Sequence, residues 1–74
     1  MKRGDFVTVR HGDRVVRAMI LLASENGHSL MLGFEGTLAI GDGFYLGMLP
    51  VLKHIDGTYR DLMNGQVFNI ERDV

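Results

Sequence analysis

The sequence predicts an all-β fold, and three observations predict it. Turn signals built on glycine recur along the chain at short intervals, the segments between them are β-branched and apolar, and one long apolar run leads directly into an Asn-Gly turn. Ten glycines stand against a single proline in 74 residues. Five sites place glycine beside a polar turn former: His11-Gly12-Asp13, Glu25-Asn26-Gly27, Gly41-Asp42-Gly43, Asp56-Gly57 and Asn64-Gly65. Such pairs suit hairpin turns that need positive φ. Their spacing fits strands joined in sequence rather than helices joined by loops.

The elements follow in order. Phe6 to Arg10 reads as a short β-branched strand, and Arg14 to Ser24 as a long one through Val15-Val16 and Met19-Ile20-Leu21-Leu22. A helix over Val15 to Leu22 is the rival reading, but the run is apolar on all sides and has no convincing N-cap. Ser29 to Phe34 is the third strand, and Phe44 to Ile55 the fourth. Pro50 lies within the fourth, where a residue without a ladder donor marks an edge, a bulge or a bend. Thr58 to Leu62 and Gln66 to Ile70 complete the set, with Asp61 to Asn64 able to form a single helical turn between them. Five to six antiparallel strands in one meander predict a single small domain over residues 1–74, most simply an SH3-like barrel, with an OB-like barrel or another small β-roll as the alternative.

Composition narrows the function classes. The chain is 46% hydrophobic and 23% charged, with a net charge of −1, so binding nucleic acid by bulk charge is not expected. It has no cysteine, which excludes disulfides, thiolate metal sites and thiol catalysis. The longest apolar run, Ala18 to Ala23, is far short of the ~20 residues that span a bilayer as a helix. The residues after Met1-Lys2-Arg3 are not a signal-peptide core. The expectation is a cytoplasmic protein that does not associate with membranes.

Candidate catalytic groups are sparse. His11, His28 and His54 match no metal-ligand spacing, although three histidines could converge in space. Glu25, Glu35, Asp42, Asp56 and Asp61 are the other candidate acids, and Asp42 and Asp56 are explained as turn formers. Ser29 next to His28 cannot pair as nucleophile and base along a strand, because neighbours point to opposite faces. Gly41, Gly43 and Gly47 lead into a strand rather than a helix, unlike a phosphate loop. The chain is therefore expected not to be an enzyme and to hold no cofactor and no metal.

Two features point to binding. Splitting each strand by parity leaves apolar residues on both faces, and Met19, Leu21, Met31, Tyr45, Leu49 and Val51 are surplus to one core. The expected protein interface is Met19, Leu21, Met31, Tyr45 and Leu49, used by a protein partner or by a second copy of the chain. The alternative is a nucleic-acid-binding barrel. Five of the eight basic residues fall in the first twenty positions, and Arg10, Arg14 and Arg17 on the first hairpin would contact phosphates.

Overall fold

The computed structural model describes residues 1–40 and 43–73 of the chain. The described residues form six strands and no helix: β1 (Phe6–His11), β2 (Arg14–Ala23), β3 (Ser29–Ile40), β4 (Gly43–Lys53), β5 (Tyr59–Asp61) and β6 (Val67–Arg72). All neighbours are antiparallel, and the strands follow one another in sequence order around a closed barrel. β6 closes the ring on β1, with Val7 opposite Arg72 and Val9 opposite Ile70. The order is the meander that the turn spacing predicts, without the crossover of a Greek-key barrel. The predicted Gly41-Asp42 turn lies outside the described residues.

The barrel interior follows the two-residue period. Val7 and Val9 enter from β1, Ala18 and Ile20 from β2, Leu30, Leu32 and Leu38 from β3, Tyr45, Leu49 and Val51 from β4, Tyr59 from β5, and Phe68 and Ile70 from β6. Two irregularities break this period and shape the surface. On β2, Ile20 pairs with Leu32 but Leu22 pairs with Met31, so Leu21 is an inserted residue. Parity alone would place Leu22 on the same side as Ala18 and Ile20. The insertion turns Leu22 outward and lets Ala23 pack against the core instead.

The second irregularity extends β3 beyond its predicted end at Phe34. Gly33 pairs with Met48 and Thr37 with Leu46, so Phe34, Glu35 and Gly36 oppose Gly47 alone. Gly36 and Gly47 take φ of 80° and 75°, which bends the hairpin and brings Leu38 and Tyr45 into the core. A Cβ at Gly47 would meet only the Phe34 carbonyl oxygen, at an ordinary 3.5 Å, so the cost of a side chain there comes from the positive φ. Gly47→Ala is therefore expected to cost about 1–2 kcal/mol, read as a lower midpoint in urea unfolding with an unchanged slope. An unchanged midpoint would mean that this bend tolerates a side chain.

Pro50 does not break β4. It pairs with Met31, and its carbonyl accepts from the Leu62 N–H at 3.2 Å, just past the last residue of β5. Its missing N–H faces the side where β5 has ended, so no ladder bond is lost.

Candidate protein-binding face

β-Pairing collects outward apolar side chains into two rows across neighbouring strands. One row runs through register partners Phe6, Met19, Gly33 and Met48 on β1 to β4. Gly33 contributes no side chain, and Leu21 lies over it: a Cβ at Gly33 would stand 2.8 Å from the Leu21 Cδ1. The second row runs through Leu22, Met31 and Pro50, and reaches Leu62 by the Pro50–Leu62 backbone bond. Leu22, Met31, Pro50 and Leu62 line a shallow depression of about 300 Å³. Leu46 beyond the first row is 70% exposed and Leu22 60% exposed. An antiparallel sheet with a wet outer side normally carries polar residues at such positions.

The predicted interface residues divide between two places. Met19, Leu21 and Met31 lie on this outer face, half-buried. Tyr45 and Leu49 do not. They are 2% and 1% exposed and belong to the core, with Val51. The reason lies in register. Both faces of β4 are apolar, so parity separates them without saying which is inside. Leu49 stands opposite Leu32 and Val51 opposite Leu30, both buried, so the odd residues point inward and Leu46 and Met48 point out. Leu22, Leu46, Met48 and Leu62 are the outward residues that sequence reasoning missed. For Leu22 the missing signal is the Leu21 insertion. For the β4 pair it is register.

The arginines of the first hairpin do not form one basic surface. Arg10 and Arg17 share the outer face, while Arg14 has the parity of the inward residues and stands exposed at the mouth of the barrel. Arg17 packs over the Phe6 ring at 4.3 Å and donates from Nε to Asp73 at 2.6 Å. Arg72 lies 3.9 Å from Asp5, and Glu71 is the register partner of Thr8. Asp73 just past β6, absent from any reading of the first twenty residues alone, thus takes up Arg17.

The histidines are separated by the barrel. His11 stands at the β1–β2 turn, donates from Nδ1 to the Val67 carbonyl at 2.8 Å, and has its ring 5.6 Å from that of Phe68. His28 and His54 belong to the turns at the opposite end, where the Lys53 N–H donates to the His28 carbonyl. Among the described residues no group of three His, Asp or Glu side chains is placed to hold a metal ion. Among them, too, no helix is long and apolar enough to cross a membrane.

One buried carboxylate remains. Asp61 accepts from the N–H groups of Met63 (2.9 Å) and Asn64 (2.6 Å) at one oxygen and of Gln66 (2.8 Å) at the other. Asn64 Nδ2 donates in turn to the Tyr45 hydroxyl at 3.2 Å. Burial works to raise the Asp61 pKa, but the donated N–H bonds and the Tyr45 hydroxyl outweigh it, and the net shift is downward. Burial pushes the Tyr45 hydroxyl up. Both oxygens of Asp61 accept from its own turn, so this cluster organises the β5–β6 connection. Exposed Asp56 does the same for the β4–β5 turn: it accepts from the Thr58 hydroxyl at 2.6 Å and from the Thr58 N–H at 2.9 Å, and these bonds lower its pKa.

Comparison with protein-family models, with curated proteins and with solved structures found no match for this chain.

Proposed function

We propose that the chain is a non-catalytic protein-interaction module that self-associates through the outer face of β2, β3 and β4. The observation that carries this reading is the pair of apolar rows on a barrel whose interior is already filled. Met19, Met31 and Met48 contribute flexible side chains that adapt to a partner surface. A small domain without disulfides also gains stability from a second copy, which covers surface that the core cannot. The nucleic-acid alternative has less support, because Asp73, just past β6, pairs with Arg17, one of the three arginines it would use.

Light scattering over a dilution series tests the proposal. The wild-type chain is expected to exceed the mass of one copy at high concentration. Leu22→Glu combined with Met48→Glu is expected to give a single-chain mass throughout. Both positions are exposed, so each change is expected to alter fold stability by only about 0.5 kcal/mol. A wild-type monomer at all concentrations, or a double variant that still assembles, would overturn the reading.

A further inference from the structure

The outer half of the β3–β4 hairpin is attached to the rest of the barrel by side chains. Thr37 to Ile40 pair only with Gly43 to Leu46. The β2 ladder on β3 ends at the Met19–Gly33 pair, and β5 reaches only Val51 to Lys53 of β4. Among the described residues, no backbone hydrogen bond outside the ladders reaches this arm. Leu38 and Tyr45 hold it, buried in the core, with one polar contact from Asn64 Nδ2 to the Tyr45 hydroxyl at 3.2 Å. The base of the arm is a pair of bends. Gly36 on one strand and Gly47 on the other both take positive φ, at the level where the ladder shifts register. Glycine passes between positive and negative φ without the Cβ clash of other residues, so both strands can change direction there.

We infer that this arm is exchangeable: two copies that fold together swap it, each seating its Leu38 and Tyr45 in the core of the other. The chemistry of the occupant is fixed, because the chain's own arm fills the site. A second copy's arm brings the same leucine, the same tyrosine ring and the same hydroxyl for Asn64. Exchange therefore keeps the contacts between arm and barrel and changes only the bends at its base. The contact is reciprocal, so it closes at two copies. Opening a folded copy would first expose Leu38 and Tyr45, so native protein exchanges slowly. The swap forms during folding from the unfolded chain, before each arm has met its own barrel. Association through the outer rows needs no such opening, and the swap stands whether or not those rows associate.

The test is refolding from urea at high and at low concentration, for wild type and for the Leu22→Glu, Met48→Glu variant, with the products separated by size. Both chains are expected to give a dimer from concentrated refolding that persists on dilution, and a monomer from dilute refolding. Refolding an equal mixture of isotope-labelled and unlabelled wild type then locates the arm. Isotope-filtered NMR should show the Asn64 side-chain amide of one copy against the Tyr45 ring of the other. Gly36→Ala and Gly57→Ala complete the test. Both glycines have positive φ and open space where a Cβ would stand, but Gly57 lies in the β4–β5 turn, outside the arm. Gly36→Ala strains the closed bend and is expected to raise the dimer-to-monomer ratio at least about threefold, with no change for Gly57→Ala. No dimer from concentrated refolding, a dimer of wild type alone, an Asn64–Tyr45 contact that stays within one chain, or an equal rise with both alanine variants would each overturn the inference.

Discussion

Asp61→Ala is expected to lower stability at neutral pH by about 3 kcal/mol, the scale of losing a buried carboxylate that accepts several hydrogen bonds. For a chain of this length that is on the order of 15 °C in melting temperature. Asn would not rescue it fully. Its oxygen could accept from Met63 and Asn64, but its amide nitrogen would then meet the Gln66 N–H donor to donor. The effect has a pH signature. The folded-state pKa lies below the unfolded value, so the stabilisation is complete above the ordinary aspartate pKa of about 4 and is lost as pH falls through the folded one. Thermal melts of wild type and Asp61→Ala should therefore converge in acid and separate at neutral pH. A constant gap across the range would mean that Asp61 acts by packing rather than as an anion.

Phe68→Ala is expected to have the largest effect of any single change, about 3–5 kcal/mol. Phe68 is 0% exposed and heads the largest fully buried side chains. It sits on β6 opposite Tyr59 and below the His11 ring, so its loss leaves a cavity at the seam where the barrel closes. Domains carry roughly 0.05–0.15 kcal/mol of stability per residue, so the cost approaches the whole margin of a chain this short. Urea unfolding should show a much lower midpoint, or no folded baseline, while Phe68→Leu stays nearer wild type. A Phe68→Ala midpoint within error of wild type would mean that the core repacks around the gap.

The meander was legible because glycine-based turn signals separate the segments, and each of the six strands overlaps the segment read from the sequence, although β3 runs on to Ile40 past its predicted end at Phe34. What was not legible depends on pairing between strands. A one-residue insertion such as Leu21 leaves no mark on composition, yet it exchanges Leu22 and Ala23 between surface and core. The Glu35-Gly36 pair reads as a strand end, and only the opposing Gly47 makes it a bend within β3. The candidate face was half legible for the same reason. Met19, Leu21 and Met31 stand out as excess apolar residues, whereas choosing Leu46 and Met48 over Tyr45 and Leu49 requires the register of β4 on β3. Asp61 to Asn64 was read as a possible helical turn, and the Gly65 N–H does donate back to the Asp61 carbonyl at 3.3 Å. The use of the Asp61 carboxylate as the cap of that turn needed coordinates.

The ring closure of β6 on β1 sets the order of events during folding. Every other pairing joins strands adjacent in sequence, and each such hairpin closes a short loop on a microsecond scale. Val9 and Ile70 are joined across roughly sixty residues, and closing a free loop of that length costs about 3–4 kcal/mol. That cost falls once the intervening hairpins have shortened the effective path. The seam between β1 and β6 is thus the step that turns a curled ribbon into a barrel, and it is the pairing of greatest sequence separation, the kind that slows folding most.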